Sequence, residues 1–352
     1  MKKLMSLLMV LALMMTVLAG CGGNNGGSSA PADSGNSTSG TTTPANGGSD
    51  TSTAAVDTNT VAVGAVVIVR DDVPEDDVYA IVSTIFDNVD TITEQHAKGG
   101  ELDLDFASSV TSVPYHPGAA KYFSEQGKTV AAVKDGAGSG SSKALTFGTG
   151  GESGTYYAFG GVLSSFVSNN TSVSVTAVTS GGSKANIEDL NAGDVQLGFV
   201  QSDVMSYAYN GERLFDTAIT GFSVVAALYM EQVQIVTTNP DIKSAADLAG
   251  KSVSIGDRGS GVYFNAIDVL GAYGLGEDDI SAVYQSFGDS AESLKDKKID
   301  AAFIVAGAPT NAIVDLATSG PVYLVGLDES HTNDLLAASP YYSAYTIPAG
   351  TY

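Results

Sequence analysis

The residues best placed to do chemistry lie in a set of small-residue loops. Gly148-Thr149-Gly150 and Ser153-Gly154-Thr155 follow a short alternating segment with Leu145 and Phe147, and Tyr156, Phe159, Gly160, Leu163 and Phe166 then recur at helical spacing. The order strand, glycine-rich loop, helix start leaves backbone N–H groups unpaired at the positive end of a helix dipole, which suits an anionic ligand. Thr179-Ser180-Gly181-Gly182-Ser183 repeats the pattern ahead of a helix over 184–192, and Gln201-Ser202-Asp203 closes a third strand with Asp203 as a helix N-cap. Gly256 to Gly261, with Arg258 and Ser260, precedes a helix from Tyr263 to Tyr273. Ala306-Gly307-Ala308-Pro309-Thr310 opens another, with Pro309 near its first position. Arg258 is one of three arginines, with Arg70 and Arg213. Its planar guanidinium suits it to clamp a carboxylate, the other reading being an ordinary surface-loop charge. Tyr156 and Tyr263, beside the loops, are candidate cleft walls.

Other chemistries fit less well. Gly151-Glu152-Ser153-Gly154-Thr155 half matches a nucleophile elbow, but Thr155 replaces the closing glycine, and His96, His116 and His331 are scattered. A Ser153-dependent hydrolase is therefore an alternative. No lysine follows a glycine loop as in a nucleotide-binding P-loop, the dinucleotide fingerprint fails at its third glycine, and no His/Cys cluster offers a zinc site. The acids Asp71, Asp72, Glu75, Asp76 and Asp77 lack calcium-loop spacing and read as helix-start charge. A helix terminus gives an anion about 0.3–2 kcal/mol, whereas micromolar affinity needs roughly 8. Several loops must converge on one ligand.

The chain of 352 residues suggests two globular domains with extra segments, and a net charge of -23 disfavours nucleic acid and anionic lipid as partners. Its single cysteine, Cys21, excludes a disulfide within the chain. Met1-Lys2-Lys3, the apolar run Leu4 to Leu18 and Leu18-Ala19-Gly20-Cys21 resemble a bacterial lipoprotein signal, in which the cysteine becomes the lipidated N-terminus. Gly22 to about Ala55 is a Gly/Ser/Thr tether that cannot bury a core. The folded part is thus expected outside the cytoplasm, anchored to the cell membrane through lipid.

The elements that must hold the loops follow an α/β grammar. Thr60 to Val69 is β-branched and apolar throughout, a strand buried on both faces. Pro74 fits the first position of a helix whose inward face is Val78, Ile81, Val82, Ile85, Phe86 and Val89. Strands over 173–178 and 195–200 alternate with helices, and the grammar restarts at Leu248-Ala249-Gly250-Lys251 with strands over 252–255 and 299–305. Parallel α/β sheets bind ligands beyond their strand carboxyl ends, so two such domains with loops facing make a cleft.

Taken together, Phe147 to Gly150, Gly154-Thr155-Tyr156-Tyr157, Thr179 to Asn186, Gln201-Ser202-Asp203, Gly256 to Gly261 and Ala306 to Thr310 resemble the TAXI solute receptors of TRAP transporters. The resemblance implies a type II periplasmic binding protein fold: two α/β domains that close by a hinge on a small carboxylate, a dicarboxylate or a glutamate-like amino acid. It implies a TRAP membrane permease as partner, a monomer, no cofactor, no metal and no catalysis. The expected ligand contacts are Gly148, Thr149, Gly150, Ser153, Gly154, Thr155, Tyr156, Ser180, Gly181, Gly182, Ser183, Gln201, Asp203, Arg258, Ser260, Gly261, Tyr263, Gly307 and Pro309. Arg258 departs from the small residues of that family loop. A surface adhesion or sensory module is a further alternative.

The segments stand in an unusual order. In the family, a stretch similar to Thr346 to Tyr352 is followed by one similar to Val61 to Gln126, which here comes first. The chain therefore reads as circularly permuted, with Lys128 to Ser142 bridging the old termini. The expected parts are a signal peptide over 1–21, a tether over 22–57, the displaced segment of domain 1 over 58–126, a linker over 127–143, the main part of domain 1 over 144–238, domain 2 over 239–344 and a return crossover over 345–352.

Overall fold

A computed structural model describes residues 56–141 and 143–352. The expected signal peptide, Cys21 and nearly all of the tether lie outside the described residues. No helix among the described residues is long and apolar enough to cross a membrane.

Two long strands form the spine. The first, β1, Thr58–Arg70, is the β-branched run of the sequence and is almost wholly buried. Glu75–Phe86 (α1), Val89–Gln95 (α2), Leu104–Ala107 (α3) and Pro117–Glu125 (α4) follow. Pro74 is the N-cap of α1 rather than its first residue, which places Glu75, Asp76 and Asp77 in the first turn. Within the expected linker, Ala132 and Lys134 bond to the backbone of Tyr115, and Gly138 bonds to Asp71 and Glu75.

The opening segment folds as strand, loop and helix, with β2 at Leu145–Gly148 and α5 at Thr155–Asn170. Val175–Val178 (β3), Ser183–Ala192 (α6), Leu197–Gln201 (β4) and Ser202–Asn210 (α7) complete this half. Asp203 does not cap α7. Gln201 is the N-cap, and Asp203 turns inward from the first turn. The second spine strand, β5, Phe222–Thr237, is buried along nearly its whole length. Beyond it come Ser252–Ser254 (β6), Val262–Ala272 (α8), Ser281–Val283 (β7), Phe287–Lys295 (α9) and Ala301–Ala306 (β8). Asn311–Ser319 (α10), Tyr323–Val325 (β9), Glu329–Ala338 (α11) and Ser343–Ile347 (β10) end the described chain. Pro309 precedes α10 by two residues, after a cis peptide bond from Ala308.

All ten strands join one sheet in the order β3-β2-β4-β1-β5-β8-β6-β7, with β10 on β1 and β9 on β5. The trios β3-β2-β4 and β7-β6-β8 are each parallel, and each has its first strand at the centre. The strands β1 and β5 run antiparallel to each other, and each also runs antiparallel to its neighbouring trio. This is the type II periplasmic-binding arrangement, two α/β lobes joined by crossing strands. The apolar cores show where one lobe gives way to the other. Ala65 to Val69 and Tyr229 pack in lobe 1, whereas Val61, Val63, Val233 and Ile235 pack in lobe 2. The cores therefore change over inside β1 and β5, and on β5 this comes before the 238/239 boundary read from the sequence.

Candidate functional site

The strand carboxyl ends of both lobes open onto one cleft, with about 80 Å³ of space open to the centre of a water-sized sphere. One water needs roughly 10–15 Å³ on that measure, so a small solute fits. From lobe 1 the cleft is lined by Gly150, Gly151, Gly154, Thr155 and Tyr156, by Ser180 to Ser183, and by Gln201 at the end of β4. Glu231 enters from β5. Lobe 2 supplies Asp257, Ser260, Gly261 and Val262, then Ser286, Phe287, Val305 and Ala306.

Four helices start at this cleft: α5, α6, α8 and α9. The N-caps of the first three are Gly154, Gly182 and Gly261, and none receives a side-chain cap bond. Their first-turn N–H groups are thus left to other acceptors. Gly182 has φ +94, a backbone geometry that L side chains rarely adopt, and it turns the second loop into α6. Only α9 is capped conventionally, with Ser286 Oγ accepting from the Asp289 N–H. No lysine or arginine is among the lining residues. Positive potential here is supplied by backbone.

The lobes are in contact. Thr155 Oγ1 donates to the Gly307 carbonyl at 3.0 Å, the Ala185 N–H to the Gly259 carbonyl at 3.0 Å, and the Ala312 N–H to the Ser153 carbonyl at 3.3 Å. Behind the cleft, Asn265 of α8 donates to Asp203 of α7 at 3.0 Å, and Arg213 pairs with Asp268 at 2.6 Å. The two lobes thus touch on both sides of the cleft.

Two buried acids stand at this junction. Glu231 is 2% exposed and accepts from the Tyr156 hydroxyl at 2.6 Å. Burial pushes its carboxyl up to about 8, with the Asp203 charge adding to the rise while Tyr156 and Lys98 oppose it. Asp203 is wholly buried and is pushed up to about 7, again chiefly by burial. Lys98 is also buried, its Nζ bonded to the Ala308 carbonyl at 3.0 Å and paired with Glu101. Gln201 is 2% exposed, and its Oε1 has no hydrogen-bond partner among the described residues.

Of the expected contacts, Gly150, Gly154, Thr155, Tyr156, Ser180, Gly181, Gly182, Ser183, Gln201, Ser260 and Gly261 come together at the cleft. The others lie apart from its lining. Gly148 packs against Asn186, and Thr149 donates to the Val178 carbonyl at 2.6 Å. Ser153 meets lobe 2 through its carbonyl, Asp203 belongs to the network behind the cleft, and Gly307 accepts from Thr155. Pro309 stands past Gly307 on the way to α10. The Arg258 guanidinium rests on the Tyr284 ring, 3.9 Å from its centroid, and the Tyr263 hydroxyl donates to Glu277 at 2.9 Å.

Glu231, Asp257, Ser286 and Phe287 are among the lining residues that do not belong to the expected contacts. For Glu231 the available signal was an acid, followed by Gln232 and Gln234, inside an otherwise apolar run. The histidines are engaged elsewhere: His96 accepts from Lys98 N–H, buried His116 lies 3.1 Å from the Val73 carbonyl, and His331 pairs with Asp328. None is hydrogen-bonded to Ser153.

A family profile matches residues 33–127 and 147–352, most of the chain. The chain belongs to the NMT1-like family. Among solved structures, this NMT1-like chain is similar to the periplasmic aliphatic sulphonate binding protein SsuA of Escherichia coli. Identity is 20% and the TM-score 0.36, over 59% of this chain and 62% of that one. It is also similar to the alkanesulfonate-binding protein SsuA of Xanthomonas axonopodis pv. citri, bound to MOPS, at 21% identity and TM-score 0.38, covering 54% and 62%. A periplasmic binding protein of Brucella ovis with glutathione bound matches at 14% and 0.36, covering 52% and 58%. The match thus spans less than two thirds of each of these three chains.

Proposed function

We propose that this NMT1-like protein is an extracytoplasmic solute-binding receptor that captures a small carboxylate by hinge closure and delivers it to a membrane transporter. Three side-chain-uncapped helix N-termini meeting at one cleft carry the reading. In a chain of net charge -23 they offer an anion N–H donors and dipole ends with no lining cation. The binding residues are the loop residues that line the cleft, above all Gly154, Thr155, Gly182, Ser183, Ser260 and Gly261. The resemblance to TAXI receptors favours a TRAP permease as the partner and lipid on Cys21 as the anchor, and the protein works as a monomer without catalysis. No observation at Ser153 favours a hydrolase.

The same reading includes the circular permutation. The Ala349 N–H donates to Asp57 Oδ1 at 2.9 Å, β10 pairs with the first half of β1, and the family match is interrupted between 127 and 147, where the bridging linker runs. These observations support a join between 352 and 57 in the ancestral order.

The test is calorimetric titration of unfolded and refolded protein with small carboxylates. Binding that saturates at one site supports the receptor reading. No heat from any small anion overturns it.

A further inference from the structure

Helix N-termini account for the anionic end of a ligand. They give no role to the acid in the same cleft. Glu231 projects from the strand that both lobes share, lines the cleft and is 2% exposed. The Tyr156 hydroxyl donates to its Oε2 at 2.6 Å, and no other hydrogen bond to this carboxyl is made among the described residues. No salt bridge to it is made among them either. The titratable groups that act on it electrostatically are Tyr156 from α5, Asp203 from α7, its strand neighbour Tyr229 and Lys98 from the turn after α2. Lys98 is the one cation of that set, and its ammonium is committed to Glu101 and the Ala308 carbonyl. Asp257, which lines the cleft from lobe 2, adds a further acid.

A buried carboxyl without a counter-charge is destabilising unless it is neutral or a ligand supplies the missing cation. A hydroxyl that donates to it fixes it as an acceptor, the orientation an ammonium needs. We propose that Glu231 takes the ammonium of a ligand whose carboxylate lies at the helix N-termini, so that the solute is an amino acid rather than a simple or oxo-carboxylic acid. The inference rests on the receptor reading above and adds the second pole of the ligand. It also fixes a proton count. In the free cleft near neutral pH Glu231 holds its proton, since burial raises it to about 8. Pairing with an ammonium ionises the carboxyl, so its proton passes to solvent as the ligand enters. A ligand lacking the amino group leaves that proton in place.

The test titrates the refolded full chain with each common L-amino acid and its deaminated acid, glutarate beside glutamate and succinate beside aspartate. Each titration is run at pH 7 in two buffers of different ionisation enthalpy. The expected result is an amino acid that binds at least tenfold more tightly than its deaminated acid and releases up to about one proton. In Glu231→Gln the proton release disappears, the amino acid loses tenfold or more and the deaminated acid changes by less than threefold. A thermal midpoint for Glu231→Gln at or above that of the parent shows that the variant is folded. Equal binding of both members of a pair without proton release overturns the ammonium role and leaves the receptor reading standing. Failure of every acid in the panel removes the receptor reading and this inference with it.

Discussion

Gly261 and Gln201 stand so close across the cleft that a Cβ on the glycine would lie 1.7 Å from the glutamine Oε1. Gly261 begins a helix of lobe 2 and Gln201 ends a strand of lobe 1, so the contact exists only while the lobes are shut. Gly261→Ala is therefore expected to leave each lobe folded and to obstruct closure. Ligand affinity should fall about tenfold or more, and the ligand-induced decrease in radius of gyration seen by small-angle scattering should be lost. Unchanged affinity would mean that Gln201 can swing aside at no cost.

The two buried acids make stability depend on pH in a definite direction. Asp203 and Glu231 are raised to about 7 and about 8, so the folded chain holds protons that the unfolded chain releases near pH 4. The stability of their neutral forms is fully present below that point and drains away as the pH rises through 7 and 8. His116 and Asp72 act oppositely: His116, which burial pushes down to about 4, as the pH falls below about 6.5, and Asp72, held low by Arg70, as it falls below about 4. The ligand-free thermal midpoint should fall on the order of 5–10 °C between pH 5 and pH 8.5. Asp203→Asn should flatten that slope, and a flat profile in the parent would contradict the burial argument.

Arg258 was the sequence's candidate for a carboxylate clamp, but its guanidinium lies over Tyr284, 3.9 Å from the ring centroid. A cation–π contact at an exposed site contributes about 0.5–1 kcal/mol. Arg258→Ala should lower the midpoint by a few degrees at most and alter ligand affinity by less than about twofold in calorimetry. A tenfold loss would restore the clamp.

The proposed permutation makes a prediction about chain assembly. A gene encoding 144–352 followed by 57–127 should yield a protein with the parent's circular dichroism and ligand affinity within about threefold. An insoluble or non-binding product would argue that 58–126 needs its present connection.

What could be read in advance follows from where the polar groups sit. The loops at 148–155, 179–183 and 256–261 announce themselves because glycine and serine there are followed at once by helical periodicity, and the structure brings all three to one cleft. The strand β1 was legible from its β-branched run. Its antiparallel partner β5 was not, since Glu231, Gln232 and Gln234 interrupt the apolar pattern although all three are at most 2% exposed. Hydropathy takes buried polar side chains for surface. The cleft's acid was hidden for the same reason, and the stacking of Arg258 on Tyr284 depends on a fold-back of 26 residues that spacing does not encode.

The spine strands bear on how the molecule comes apart. Val61 and Val63 anchor one core and Ala65 to Val69 the other, along a single uninterrupted β1, and β5 divides its side chains in the same manner. Neither lobe can melt without stripping residues out of its neighbour's interior. The two halves are therefore expected to unfold as a single cooperative unit: heating should give one calorimetric transition whose van't Hoff and measured enthalpies agree, and amide exchange should report the same global opening on both sides.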